Sequence, residues 1–136
     1  RRWRDNYSMT ANRVYGYSQD TFLIRRGVGD TYVFGGRSQD GSRWTRILSK
    51  RAAHMLWFHL ARHLFPDDAD DVTARLPTAL FRGVNVPSIT EHMLIEPLAT
   101  GGIEIVGSTS AGTYSVQLGP SEVQRFWTLI DQAMDS

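Results

Sequence analysis

The 136 residues, 15.4 kDa in mass, suffice for one compact domain and not for two, and with 41% apolar and 21% charged residues they are too apolar for a disordered chain. No apolar run reaches the roughly 18 to 20 residues that cross a bilayer, no hydrophobic signal stretch follows the Arg-rich start, and cysteine is absent, which excludes disulfides, thiolate nucleophiles and cysteine metal sites and points to a cytoplasmic protein without a membrane partner. The net charge of +1 joins a basic part, twelve cations against four acids over 1–62, to an acidic one, three against ten over 63–136, and fourteen of the fifteen cations are Arg.

Residues 1–12 have no periodicity and read as a loosely held arm; the start at Arg1 rather than Met suggests trimming or a disordered leader. A first unit follows over 13–65. Strands are expected over about Arg13–Ser18, around Phe22–Ile24, over Tyr32–Gly36 and, after a Gly-containing turn at Ser38–Gly41, over Trp44–Leu48. Ser49 is an N-cap, and Ala53, Leu56, Trp57, Leu60 and Leu64 recur at helical spacing through a helix from Lys50 to about Phe65. Met55 and Phe58 lie off that stripe, so this helix is expected to be buried on more than one side and to be the more central of two.

Over 66–77, Asp67, Asp68, Asp70 and Asp71 crowd the start and Arg75 the end of an expected short linking helix, as the helix dipole favours. A second unit is expected over 78–136. Its strands are read near Thr78–Gly83, at Met93–Ile95, at Ile103–Gly107 and, past a turn at Ser108–Gly112, over Tyr114–Leu118; Gly119 and Pro120 open the last helix. Val123, Phe126, Trp127, Ile130 and Met134 each fall 70 residues after their counterparts in the first helix, and the earlier strands match at 71. The expected fold is therefore α+β: a doubled four-stranded antiparallel meander, each followed by a helix, with the helices packed together. A lone unit of roughly 65 residues would bury one side only, and two can share a core.

In element order and repeated strand-to-helix junctions, over about residues 13–134, the chain resembles the single-stranded-DNA-binding transcriptional regulators, the class of positive cofactor four and the plant Whirly proteins. It also resembles small uncharacterised cyanobacterial proteins with both units in one chain. The resemblance implies an internally repeated single chain and a nucleic-acid ligand; it carries over no site residue, since the Lys-Gly-Lys-Ala type stretch of Whirly proteins is missing.

Catalytic chemistry finds no anchor. His59 and His63 stand one helical turn apart, but Leu60 occupies the place where a zinc protease needs Glu; no Gly-x-Ser-x-Gly elbow and no phosphate-binding glycine fingerprint occur, and Glu96 and Glu104 are polar edge positions. No enzyme, metal or cofactor is expected. The remaining signal is Arg interleaved with aromatics, a composition that suits a basic track with stacking rings for single-stranded DNA or RNA. Arg25, Arg37, Arg43 and Arg46 are assigned to phosphates, Tyr17 and Trp3 to base stacking, and Arg2 and Arg4 to the same face through the arm. The alternative is a protein-interaction or assembly module, suggested by the acidic second part and exposed meander edges.

Overall fold

The structure, a computed structural model, describes residues 14–26, 29–68 and 89–135. Three strands, β1 (Gln19–Arg25), β2 (Thr31–Arg37) and β3 (Arg43–Ser49), form an antiparallel meander that runs directly into helix α1 (Lys50–Leu64) and a 3₁₀ turn at Pro66–Asp68. The two-residue strand β4 (Ile89–Thr90) precedes a second antiparallel meander, β5 (His92–Pro97), β6 (Ile103–Thr109) and β7 (Gly112–Leu118), and helix α2 (Pro120–Asp135). Local chemistry explains the helix starts. Ser49 Oγ accepts the Ala52 N–H at 3.1 Å, and Pro120 occupies a first helical position where no amide donor is needed.

The layout corrects the doubled four-strand expectation: a four-stranded sheet ordered β1-β2-β3-β4 is followed by a helix, then a three-stranded sheet β5-β6-β7 by another. The fourth strand of the first sheet comes from the second half of the chain, pairing parallel to β3 through Ile47 with Ile89 and Leu48 with Thr90. The expected first strand near Arg13–Ser18 is, in its described part, only an isolated bridge of Tyr17 to Gln117 at the edge of β7. Gly16 takes φ +65°, which breaks the extended run, and Tyr15 is tied to the β2–β3 loop by hydrogen bonds to Ser38 and Gln39. The strand expected at Thr78–Gly83 and the linking helix beyond Asp68 fall outside the described residues.

The strand pairings nonetheless correspond position by position. Tyr32 faces Leu48, Phe34 faces Arg46 and Gly36 faces Trp44 in the first sheet; Ile103 faces Leu118, Ile105 faces Val116 and Gly107 faces Tyr114 in the second. In β1 the correspondence is one residue off the expected one. Thr21 and Leu23, not Phe22 and Ile24, occupy the inward places of Met93 and Ile95, because the β1–β2 connection is one residue longer than β5–β6: Leu23 pairs with Phe34, eleven residues on, and Ile95 with Ile105, ten residues on. A bulge also interrupts β1 between Gln19 and Phe22, with Asp20 at φ 52°. Thr21 faces α2: its N–H donates to Glu122 Oε2 at 2.8 Å, and its carbonyl accepts from Arg125 Nη2 at 2.6 Å.

One core joins everything. Helix α1 packs on β5 and α2 on β1, so each helix covers the first strand of the other meander, and the helices also touch each other. Phe34 meets Trp44 edge-on at 4.9 Å and Phe126 at 5.7 Å, while Trp57 Nε1 donates to Asp131 across the helix pair. Met55 and Phe58 are half-buried, and α1 touches β2, β3 and β5 as well as α2. At the sheet corners the same device occurs twice. Trp44 donates to Ser18 Oγ at 3.1 Å beside Gly36, and Tyr114 and Thr90 hydroxyls bond at 2.7 Å beside Gly107. A Cβ on Gly107 would collide with the Tyr114 ring, so that position needs glycine.

Candidate interaction surface

Strand alternation turns every second side chain away from the helices, giving each sheet an outward face. On the first sheet three rows run across the strands. The first pairs Arg37 with Arg43, the second sets Phe22, Gly35 and Thr45 side by side, and the third aligns Ile24, Val33, Ile47 and Ile89. No described element packs on this face. Ile24 is 57% exposed, and Phe22, Val33, Ile47 and Ile89 remain partly open to solvent. Four aliphatic residues in register across four strands form a contiguous apolar strip, unlike the scattered exposed apolar groups of an ordinary surface.

The corresponding rows of the second sheet are His92, Ser108 and Thr113; Leu94, Val106 and Ser115; and Glu96, Glu104 and Gln117. Where the first sheet carries its aliphatic row, the second carries two carboxylates.

The residues assigned to nucleic acid from the sequence separate. Arg37 and Arg43 are direct cross-strand neighbours on the outward face, and Arg37 also grips Asp20 through Nε at 3.0 Å. Arg25 belongs to the opposite parity, level with Tyr32, and pairs with Asp30 at 3.7 Å. Arg46 is placed inside rather than on an open surface. It is 8% exposed, its guanidinium stacks 4.6 Å from the Tyr114 ring centre and donates to the Thr45 carbonyl at 2.9 Å, and burial lowers its pKa. The reason is register, since Arg46 faces Phe34 on the inward side of β3. Tyr17 sits at the sheet junction with its hydroxyl bonded to Thr100 at 3.1 Å. Arg2, Trp3 and Arg4 lie outside the described residues.

The aliphatic row was not singled out in the sequence, although a signal exists: Tyr32-Val33-Phe34 and the adjacent pair Ile47-Leu48 are apolar on both strand faces where a half-buried strand would alternate.

Two surface depressions accompany these faces. One, of about 350 Å³, is lined by Arg25, Arg26, Gly29 and Asp30; the other, of about 320 Å³, by His59, Arg62, His63, Ile95 and Pro97. Burial, and after it the Arg62 charge, lowers the His59 pKa. Among the described residues no three metal-ligating side chains converge. No protein-family model, curated protein or solved structure matches the chain.

Proposed function

We propose that the chain is a non-catalytic assembly module that binds a protein partner through the outward face of its first sheet. The observation that carries this reading is the row Ile24, Val33, Ile47 and Ile89, aligned across four strands with no described element on it. Such a strip gains free energy when a close-packed protein surface takes it out of water, at about 25 cal/mol per Å². Phosphates offer no such surface. The pairing of Arg37 with Asp20 and of Arg25 with Asp30, and the inward stacking of Arg46, also leave less free positive charge than the sequence suggests.

The test is a photo-crosslinking residue at Ile24, in cells that make the protein, with Gln124 on the exposed side of α2 as control. A discrete protein adduct from position 24 and none from 124 is expected. Absence of any protein adduct from position 24 overturns the reading.

A second reading keeps single-stranded DNA or RNA as the ligand, favoured by one observation: Arg37 and Arg43 are adjacent and share their face with the Phe22 ring in the next row. Phosphates on the two guanidiniums and a base on Phe22 would give salt-sensitive binding. Fluorescence anisotropy with single-stranded oligonucleotides at about 50 mM salt tests it. Binding that R37A/R43A abolishes supports this reading, and no binding eliminates it.

A further inference from the structure

Each outward face carries a like-charge pair directly across two strands, Arg37 with Arg43 on the first sheet and Glu96 with Glu104 on the second. Directly opposed like charges cost stability in a sheet, and Asp20 relieves only the first pair, from one side. The two pairs have opposite sign and sit at opposite ends of corresponding three-row lattices.

We propose that the partner is a second copy of this chain, whose second-sheet outward face docks on the first-sheet outward face through Arg37 and Arg43 against Glu96 and Glu104. This rests on the reading of the first-sheet face as a protein-binding surface. Sheets stack face to face about 10 Å apart, and rows two residues apart lie about 6 to 7 Å from each other along a strand. With row order reversed between copies, the Arg row lies over the Glu row and the middle row, Phe22 and Thr45, over Leu94 and Val106. The aliphatic row then covers His92, Ser108 and Thr113. Leu94, 45% exposed, supplies the apolar centre of the acidic face.

Stacking the first sheet on itself is the poorer arrangement. In one row order Arg meets Arg, and in the other the guanidiniums are desolvated over isoleucines without a counter-charge. The second sheet on itself sets carboxylate against carboxylate in one row order; in the other it sets them over His92, Ser108 and Thr113, and it leaves the aliphatic row of the first sheet uncovered in both. The unlike faces set both charged pairs against opposite charge and also cover the aliphatic row, and a contact between two different faces propagates from copy to copy instead of closing as a twofold dimer.

Sedimentation velocity on the full chain tests this with two charge-reversed variants, R37E/R43E and E96R/E104R. The parent should associate in steps that lengthen with concentration, and each variant should weaken association at least tenfold. An equimolar mixture of the two should associate again in alternation, because the two reversed faces match each other and the two unreversed faces match as in the parent. Ile24→Glu, at an exposed position, should weaken association without relief by either charge variant. A parent that stays monomeric overturns the proposal, as does association indifferent to E96R/E104R or a mixture that stays monomeric. If the parent is monomeric while Ile24 crosslinks to a different protein, this inference fails and the binding-face reading stands; if Ile24 crosslinks to no protein, that reading falls as well.

Discussion

At the positions where the first sheet turns Ile24, Val33 and Ile47 outward, the second turns Glu96, Glu104 and Gln117, yet on the inward side both carry apolar residues at nearly every matching place. Phe34 answers to Ile105, Leu48 to Leu118, and Trp44 to Tyr114, the last two rings each tied to a hydroxyl, Ser18 or Thr90. The inward lattice specifies the architecture, and it accommodates Arg46 by laying the guanidinium over a ring from the other half while it donates to the Thr45 carbonyl. Among the described residues no element packs on the outward positions of the first sheet. The proposed contact between copies rests on the contrast between the two outward faces, whereas the similarity of the inward faces serves the core.

Substitutions that break the inward correspondence should have the largest effect. Phe34→Ala removes a ring that bridges Trp44 and Phe126 and should cost about 3–5 kcal/mol in urea unfolding. A loss under about 1 kcal/mol would contradict a core shared between the halves.

The bulge in β1 has no counterpart in β5, and neither does the clamp that serves it. Burial works to raise the Glu122 pKa, but bonds from Arg125 and from the Thr21 N–H outweigh it, and the carboxyl ends below its ordinary value. Glu122→Ala should cost about 1–3 kcal/mol at neutral pH, the range for leaving a partly buried polar group without its partner. A folded-state pKa that is depressed adds stability above the unfolded value of about 4.3 and loses it as pH falls through the lower folded value. The melting temperature should therefore drop on acidification below about pH 4.3, and Glu122→Gln should flatten that limb.

In the second half the matching corner device titrates at the alkaline end. Burial pushes the Tyr114 phenol up to about 12, against smaller opposing effects of the Thr90 hydrogen bond and Arg46. A raised folded pKa means stability that is complete below the unfolded value of about 10 and is lost as pH rises from there toward 12. Tyr114→Phe should shrink this alkaline loss and cost about 1 kcal/mol at pH 7, because the Thr90 hydroxyl loses its partner. Tyr32, also raised by burial first, keeps part of the slope.

The smallest effects on stability belong to the outward faces. Ile24→Arg and Leu94→Arg should each change unfolding free energy by no more than about 0.5 kcal/mol while weakening association. A large stability loss at Ile24 would mean that the face is already covered within the chain.

Much of this fold can be read from the sequence, for local reasons. Ser49 ahead of an apolar stripe marks α1, Gly119-Pro120 marks α2, and Tyr32, Phe34, Trp44 and Leu48 alternate as core positions do. What is not legible depends on long-range register. A single extra residue in the connection between β1 and β2 shifts which of Thr21 and Phe22 points inward, and the inward Thr21 is held by a helix 101 residues further on. The fourth strand is two residues long and pairs with the other half, so no periodicity announces it. Arg46 reads as a surface cation because charge is rarely buried, and only its position opposite Phe34 places it inside. The Arg and aromatic interleaving gives composition but not parity, which is why Arg37 and Arg43 come together on one face while Arg25 and Arg46 do not join them.

Isoleucine methyl spectroscopy reads the two classes of position side by side, since Ile24, Ile47 and Ile89 lie on the outward face of the first sheet and Ile103, Ile105 and Ile130 are buried. Across a concentration series of the unmodified chain, the first three methyl signals should shift and broaden together while the buried three stay in place. Signals from Ile24, Ile47 and Ile89 that do not move would contradict the complementarity of the two outward faces.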